Sequence, residues 1–477
     1  MRMALARSTL ALVCNAYMNG RLAAAIYEPS THMESARLYG NINQYAYYFT
    51  DLLVGTPHPQ RVSVIVDTGS SLCGFPCQDC VHCGEHIDPP FNFKDSWSAR
   101  WIHCGVQCEG SCQQDVCSYT QSYTEGSSIS GVWFQDLVQL GDAPQHNPPV
   151  NATLGCHRDE EKLFYTQAVN GIMGMAPHEN SGRPTILQDL FGDKEHVNTG
   201  IFAICLAEWG GRLTVGGYEP EYHVNGTRVQ WTPLLHSGYY SVTPYKLMLD
   251  GVVLASGPEA FGTCLVDSGT TFTYFPAQVF NQLTLALVKA CTETASSCKA
   301  YQEGADCWRL SDGATDPRSF PPLLLEFMGG EQIHWDPRSY LFQRNEPGLW
   351  CHAFADNGAE PGTVLGVSWM LHKDIIFDLE SSKLGVAEAV CPEYRRAPGE
   401  AMAPFSGGAG ERSVALLALI TIFGGAGILL FFSIAAWLFC SNCGWKWERY
   451  DHLDDPDSQS SPGSPVHPIL DPRGTLR

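Results

Sequence analysis

The chain has 477 residues, too many for one ordinary hydrophobic core, so we expect two lobes with accessory segments. A formal net charge of -21 at pH 7 argues against nucleic acid as a partner, because nucleic-acid binding needs a basic face. The 46 glycines and 30 prolines follow no period, which favours a loop-rich, mostly β fold over a helical one.

The first 25 residues have the features of a secretory signal peptide. Arg2 and Arg7 flank the start of an apolar stretch at Leu10–Val13, and Ala23–Ala25 supplies the small residues of a cleavage site. An N-terminal segment without regular structure is the alternative. We therefore expect the chain from residue 26 onward to enter the secretory pathway.

Two strands are predicted at the start of the body, and the second one delivers an aspartate. The aromatic and aliphatic run Tyr47–Val54 ends at Gly55 and Pro57, as a strand does when it enters a turn. Val62–Val66 is predicted to be a buried strand, and Asp67 follows it in an Asp-Thr-Gly-Ser turn. A single turn of this kind is ordinary, because Asp and Gly are favoured in turns.

The stretch Cys73–Cys117 is predicted to be a cysteine-rich insert. The run Cys77–Cys83 has a cysteine at every third position, with His82 and His86 nearby, and this spacing leaves a metal site open. The alternative is a disulfide-stapled insert, which an oxidising compartment favours. Sixteen of the 19 cysteines lie in Cys73–Cys391, and an even number is what a disulfide framework requires.

A β-hairpin is predicted over Tyr119–Leu140. Glu125–Ser128 supplies the turn, and Val132–Phe134 begins the returning strand. A glycine-containing turn between aromatic-bearing strands suits a mobile cover over a site. An exposed hairpin without such a role is the alternative.

The second half repeats the order of the first at low identity. Cys264–Val266 precedes Asp267 in an Asp-Ser-Gly-Thr turn, and the apolar-apolar-Gly pattern at Ile172–Gly174 returns at Val364–Gly366. This order predicts an internal duplication that pairs the two aspartates. The predicted lobes are residues 26–232 and 233–397.

The C-terminal part is predicted to anchor the chain in a membrane. Val414–Phe439 carries no charge and exceeds the roughly 20 residues that a transmembrane helix needs, so a buried core helix is a poor alternative. Lys446 and Arg449 follow it, which places the tail, 440–477, in the cytosol and the body in the lumen. Residues 398–413 are rich in Ala, Pro and Gly, as a stalk is. Two glycosylation sequons agree with a lumenal body: Asn151–Thr153 and Asn225–Thr227.

Two carboxyl groups that lie close together can act as an acid–base pair. One pKa rises and the other falls, so the ionised member of the Asp67 and Asp267 pair can take a proton from water while the protonated member polarises a carbonyl. This is direct hydrolysis of a peptide bond and requires no cofactor or metal. A glycosidase also uses two carboxylates, but the duplicated turns favour peptide hydrolysis. The residues predicted to support the pair are Thr68, Gly69, Ser70, Ser268, Gly269 and Thr270.

The two Asp turns and the two apolar-apolar-Gly patterns together resemble the pepsin-like aspartic proteases, over roughly Tyr45–Cys391. The resemblance implies a bilobal, mostly β fold, and it implies that Tyr123 is the tyrosine of a substrate-covering flap with Gly126 in its turn. The chain is more closely similar to a membrane-anchored endoplasmic-reticulum branch of that family with a nepenthesin-type cysteine-rich insert. The matching stretches include Phe75–Cys77, Gln121–Tyr123, Gly155–His157, Asp306–Trp308 and Leu349–Cys351.

This branch implies a substrate class. Its members cut export signals of Arg-x-Leu type on secretory cargo, so the resemblance implies that Glu125 binds the substrate arginine, with Gln167 as a second contact. A solvated turn glutamate is the alternative for Glu125. The expected partners are polypeptides and the membrane, with the chain a single-pass monomer. Two other readings stay open: a late-secretory protease of broader specificity, and a non-catalytic binding protein on the same scaffold.

Overall fold

The structure is a computed structural model, and it describes residues 32–396 apart from 106–107, 109–110, 142–148, 178–182, 195, 237, 293–297, 312, 345 and 359. The predicted signal peptide, stalk, transmembrane helix and cytosolic tail all lie outside the described residues. Among the residues that are described, no helix is long and apolar enough to cross a membrane.

The described residues are mostly β, as the composition predicts. The strands are β1 Glu34–Asn41, β2 Tyr47–Val54, β3 Gln60–Asp67, β4 Cys73–Pro76, β5 Arg100–Trp101, β6 Ser111–Gln113, β7 Val116–Ser122, β8 Ser128–Leu140, β9 Val150–Glu161, β10 Gly171–Gly174, β11 Ile201–Leu206, β12 Gly211–Val215, β13 Gln230–Pro233, β14 Ser241–Val242, β15 Pro244–Leu249, β16 Val252–Ser256, β17 Cys264–Val266, β18 Thr273–Phe275, β19 Ala300–Gln302, β20 Cys307–Leu310, β21 Leu323–Phe327, β22 Gln332–Trp335, β23 Leu341–Gln343, β24 Leu349–His352, β25 Phe354–Asp356, β26 Thr363–Leu365, β27 Lys373–Asp378 and β28 Lys383–Glu388.

Helices are short and few in this part of the chain. They are α1 Leu163–Thr166, α2 Ile186–Gly192, α3 Pro258–Phe261, α4 Ala277–Thr292, α5 Pro337–Tyr340 and α6 Val367–Met370, with 3-10 turns at Phe93–Asp95 and Pro220–Tyr222. Helix α4 is the long one, and it buries Val279, Leu283 and Leu287 at helical spacing.

One large sheet runs through both halves of the sequence. Its order is β13-β28-β27-β11-β12-β1-β2-β3-β10-β4-β9-β8-β7-β6, with β5 paired to β8. The remaining strands of the second half form three smaller sheets: β14-β17-β26-β18-β25, β16-β15-β21-β22 and β19-β20-β24-β23. The predicted lobe boundary at 232–233 falls inside β13, so that boundary stays a prediction.

The predicted duplication is present in the strand pairing. In the first half, β10 pairs in parallel with β3 and antiparallel with β4, and β4 pairs in parallel with β9. In the second half, β26 pairs in parallel with β17 and antiparallel with β18, and β18 pairs in parallel with β25. Each Asp turn therefore leaves the end of a strand that lies beside an apolar-apolar-Gly strand.

The disulfide prediction is confirmed, with one correction to the count. Seven bonds form among the described cysteines: Cys77–Cys156, Cys80–Cys83, Cys104–Cys112, Cys108–Cys117, Cys205–Cys391, Cys291–Cys298 and Cys307–Cys351. The Cys77–Cys83 run is thus oxidised, so its sulfurs are not available as metal thiolates. The expectation that all sixteen cysteines belong to the framework is wrong, because Cys73 and Cys264 are free and buried in strands.

Candidate active site

Asp67 and Asp267 occupy equivalent places at the ends of two buried strands. Val62–Val66 is buried along its whole length, as predicted, and Asp67 at its end is 5% exposed. The backbone fixes each turn against its apolar-apolar-Gly strand. The Met175 N–H donates to the Asp67 carbonyl at 2.7 Å, and the Asp267 N–H donates to the Leu365 carbonyl at 3.0 Å.

Each carboxyl receives the same two hydrogen bonds from its own turn. For Asp67, the donors are the Gly69 N–H, at 2.8 Å from Oδ1, and the Ser70 hydroxyl on Oδ2. For Asp267, they are the Gly269 N–H, at 2.8 Å from Oδ1, and the Thr270 hydroxyl, at 2.6 Å from Oδ2. These bonds fix the orientation of both carboxyl groups before any substrate arrives.

A reciprocal network joins the two turns. The Thr68 N–H donates to the Ser268 hydroxyl at 3.0 Å, and the Ser268 N–H donates to the Thr68 hydroxyl at 2.9 Å. Each hydroxyl also donates to a carbonyl of the opposite strand, Thr68 to Val266 at 2.9 Å and Ser268 to Val66 at 2.7 Å. The predicted support residues are therefore brought together, and they tie the turns across the two-fold pseudo-axis.

The two glycines allow the carboxyl groups to approach each other. A Cβ atom on Gly69 would lie 2.6 Å from Oδ1 of Asp267, and one on Gly269 would lie 2.3 Å from Oδ1 of Asp67. Both distances are too short for any side chain, so only glycine fits at these positions.

Ionisation of Asp67 is disfavoured in the folded protein. Burial raises the pKa of Asp67 well above its usual value, and the charge of Asp267 raises it further, while hydrogen bonds from Ser70 and Gly69 act in the opposite direction. Because Asp67 is buried and lies beside Asp267, the two carboxyls cannot both ionise freely, so the pair retains one proton.

The predicted hairpin covers this pair. Strands β7 and β8 pair up to Ser122 and Ser128, and the Tyr123 N–H donates to the Ser127 carbonyl at 2.9 Å across the turn. The Tyr123 hydroxyl is buried and faces Ser70 and Asp67, but it lacks the geometry of a regular hydrogen bond to Ser70. Burial raises the pKa of Tyr123 well above its usual value, and the negative charge of Asp67 adds to the effect. Tyr123 therefore lies where the predicted flap tyrosine should be.

The two predicted specificity residues lie in different environments. Glu125 is exposed on the hairpin turn and accepts a hydrogen bond from the Ser127 hydroxyl. Gln167 is buried, and its amide donates to the Val169 carbonyl at 3.0 Å. The Glu125 carboxylate is thus exposed on the flap turn, whereas the buried Gln167 amide is bonded to the backbone.

Two neighbours of the flap were missed from the sequence. Phe164 of α1 packs on the Tyr123 ring with centroids 4.9 Å apart, and the Lys162 amine lies 2.7 Å from where a Cβ on Gly126 would be. Both residues lie some 40 positions after the flap in the sequence, and no local sequence pattern identifies them as residues that support it.

The fold and the aspartate pair define the class of protein. Residues 47–389 match the family described as eukaryotic aspartyl protease, so the chain belongs to this family. The predicted pepsin-like recognition and the predicted class of enzyme, an aspartic endopeptidase, are confirmed.

The chain is similar to three particular members. It is 34% identical to "Aspartic protease 5" of Toxoplasma gondii over 75% of this chain, but it spans only 38% of that relative's length. It is 27% identical to "Plasmepsin V" of Plasmodium falciparum over 76% of this chain and 74% of the relative. It is 24% identical to "Aspartic proteinase nepenthesin-2" of Nepenthes gracilis over 72% of this chain and 78% of the relative.

Proposed function

We propose that the chain hydrolyses peptide bonds with a water molecule activated between Asp67 and Asp267. The ionised member of the pair removes a proton from the water, which attacks the peptide carbonyl. The protonated member donates a hydrogen bond to the carbonyl oxygen and later passes its proton to the leaving amine. No covalent bond to the protein forms, and Tyr123 closes the flap over the reacting groups.

The proposal depends on one observation above all, the placement of two adjacent carboxyl groups within a symmetric hydrogen-bond network. Each carboxyl has matching donors, at Gly69 and Ser70 or at Gly269 and Thr270. A degenerate scaffold used only for binding has no need of both carboxyls and both glycines.

The test is substitution of either aspartate by its neutral isostere. Asp67→Asn and Asp267→Asn should each lower peptide cleavage by at least about 1000-fold, since general acid and base steps each contribute factors of this size. The melting temperature should stay near that of the wild type. Cleavage retained by either variant would falsify the proposed mechanism.

We propose further that the preferred substrates carry an Arg-x-Leu-like motif on secretory or exported proteins. Glu125 supports this proposal because its carboxylate is exposed on the flap turn, with only a short local contact to Ser127. A substrate guanidinium can bind such a carboxylate through two parallel hydrogen bonds.

Specificity is tested with a peptide library and a matched pair of variants. The wild type should cleave an Arg-x-Leu peptide at least ten times faster than its Arg-to-Ala version, and Glu125→Ala should abolish that difference. Glu161→Ala is the control, because Glu161 is also an exposed glutamate near the flap and contacts Ser128. Equal rates on both peptides would instead favour the protease of broader specificity.

Gln167 stays a predicted second substrate contact. Because its amide is bonded to Val169, we expect Gln167→Ala to change the arginine preference less than Glu125→Ala does.

We propose that the body works in the lumen of the endoplasmic reticulum, anchored as a monomer by residues 414–439 after removal of the signal peptide. Seven disulfides suit an oxidising compartment, and the sequon residues Asn151 and Asn225 are exposed on the body. Resistance to carbonate extraction and glycans sensitive to endoglycosidase H would support this location. Glycans that mature beyond the endoplasmic reticulum would point to a late-secretory enzyme.

A further inference from the structure

A buried carboxylate with two buried histidines lies beside the flap and takes no part in the proposed chemistry. The Glu160 side chain is 0% exposed, and those of His86 and His157 are 2% and 0% exposed. Glu160 Oε2 lies 3.0 Å from His86 Nε2, and Oε1 lies 2.8 Å from His157 Nδ1. Burying charged groups costs free energy, so we expect these three side chains to have a structural or functional role.

The hydrogen-bond partners determine where the protons are. Burial alone would raise the pKa of Glu160, but hydrogen bonds from His157 and His86 outweigh it and lower the pKa below its usual value. Glu160 is therefore a carboxylate and only accepts. The other ring nitrogen of His86, Nδ1, faces the Gln167 carbonyl at 3.1 Å, which also only accepts. Both ring nitrogens of His86 thus face oxygen acceptors, at Glu160 and at the Gln167 carbonyl, and the His86 and Glu160 side chains form a buried pair.

This ion pair is the centre of the contact between the cysteine-rich insert and the main body. The Glu160 N–H donates to the His82 carbonyl at 2.7 Å, and the Gly84 N–H donates to Glu160 Oε2 at 3.4 Å. The His82 ring stacks on Tyr165 of α1 with centroids 4.6 Å apart, and the Ile87 N–H donates to the Ala168 carbonyl at 2.8 Å. Residues 82–87 of the insert thus run along Glu160 and α1.

The same carboxylate-bearing strand supports the flap from its other edge. Glu160 and Glu161 of β9 pair with Ile129 and Ser128, the first residues of the returning flap strand β8. Helix α1 follows directly, and its Phe164 packs on Tyr123. A displacement of β9 or α1 would therefore move the flap tyrosine away from Asp67.

We propose that Glu160 is a positioning residue, which through its ion pair with His86 clamps the cysteine-rich insert to α1 and so holds Tyr123 over the aspartate pair. The proposal rests on the proposed peptidase function for its consequence in activity, although the clamp itself can be measured without activity. It assigns the insert a role as a buttress of the flap.

The main experiment measures hydrogen exchange and cleavage in the purified full-length protein. Glu160→Ala should increase amide exchange at residues 121–129 at least tenfold and lower kcat/KM at least tenfold. Exchange in β27 and β28 should stay unchanged. Glu160→Gln and His86→Gln should act in the same direction, and they keep the test available if the alanine variant fails to fold.

The chain offers a matched control in a second buried pair, His196 and Glu34. Their side chains are 2% and 4% exposed, with Nδ1 of His196 2.5 Å from Oε1 of Glu34, and Glu34 lies on β1 opposite Val215 of β12. Glu34→Ala should lower the melting temperature comparably, while flap exchange and kcat/KM stay within twofold of wild type. A Glu34→Ala effect equal to that of Glu160→Ala, or flap exchange within twofold of wild type in the Glu160 variants, overturns the proposal.

A spectroscopic signature tests the ion pair itself. Nitrogen NMR of labelled histidine should show His86, assigned by its loss in His86→Gln, as doubly protonated at neutral pH, and Glu160→Gln should convert it to the neutral ring. A neutral His86 in the wild type contradicts the proposal. An inactive wild type with the expected exchange and NMR results would reject the proposed function but leave the clamp in place.

Discussion

The hydroxyl of Thr68 makes two buried hydrogen bonds at once. It accepts from the Ser268 N–H and donates to the Val266 carbonyl, at 2.9 Å each. Both partners belong to the opposite turn, so this one side chain controls how the second aspartate is placed relative to the first.

Thr68→Val should therefore lower kcat at least tenfold while it keeps the side-chain shape. Loss of the hydroxyl leaves two buried polar groups without a partner, at a cost of roughly 1–3 kcal/mol each in unfolding free energy. Thr68→Ser, which retains the hydroxyl, is the control and should stay near wild type. Steady-state kinetics and thermal unfolding check the pair, and equal kcat for Thr68→Val and wild type would contradict the expectation.

The pH dependence of cleavage follows from Asp67. Its pKa is raised, so the proton that the pair needs is retained to a higher pH than for an ordinary aspartate, and activity is lost as pH rises through that pKa. The Ser70 hydroxyl stabilises the ionised form and lowers this pKa.

Ser70→Ala should thus move the alkaline limb of the kcat/KM profile to higher pH, by about one unit for a hydrogen bond to a charged group. Ser71→Ala is the neighbouring control and should leave the limb in place. A shift to lower pH in Ser70→Ala would show that the sign of this argument is wrong.

At the scale of elements, the flap turn depends on a glycine. Gly126 has φ +88, in the region that residues with a Cβ avoid, and the Lys162 amine occupies the space of a Cβ. The sequence predicts the hairpin from its turn residues, but the role of Lys162 follows only from how β9 and α1 fold back beside the turn.

Gly126→Ala should strain the turn and displace Tyr123, so kcat/KM should fall about tenfold or more. Gly304→Ala is the matched control, because Gly304 has φ +80 and no atom within 4 Å of its Cβ position. Both variants should lose similar stability, about 1–3 kcal/mol for a strained backbone. Equal activity of the two variants would show that the conformation of the flap turn does not affect catalysis.

At the scale of the whole molecule, the end of the described chain returns to the first half. Arg396 is buried, with Nη1 2.8 Å from Asp51 and Nη2 3.3 Å from Asp88, and its carbonyl accepts from the Tyr45 hydroxyl at 2.9 Å. Asp51 lies on β2, so this contact joins residues 345 positions apart in the sequence. The segment before the predicted stalk is therefore a structural strap.

Arg396→Ala should destabilise the protein by about 3–5 kcal/mol at pH 7.5, since it leaves buried carboxylates without their cation. Burial raises the pKa of Asp51 to about 6 despite Arg396, so the wild type loses stability as pH rises from about 4 through 6. Arg396 lowers the pKa of Asp51, so without it the stability lost between pH 5.0 and 7.5 should be larger.

Thermal unfolding at pH 5.0 and 7.5 measures this difference. Arg395→Ala is the control, because Arg395 is exposed, forms an ion pair with exposed Glu393 and lies over the Trp209 ring, away from the Asp51 and Asp88 carboxylates. If Arg396→Ala is destabilised equally at both pH values, Asp51 is not the group responsible.

Several features of the site are encoded in short local patterns of the sequence. A buried apolar run before Asp67 and Asp267 predicts a strand end, the turn residues predict the flap hairpin, and the repeated order predicts paired aspartates. Each of these is encoded within about ten residues, where propensity and periodicity act directly. The cysteine count was a weaker guide, because it assigned Cys73 and Cys264 to a framework from which their strands keep them apart.

The contacts between groups that are distant in the sequence follow from the tertiary fold. The reciprocal Thr68 and Ser268 bonds, the Glu160 clamp on His86 and the Arg396 strap each join residues from 74 to 345 positions apart. No local pattern encodes such contacts, because they depend on how separate strands stack around a shared core. The two aspartates could be read from the sequence, whereas the supports that hold the flap over them had to be found in the fold.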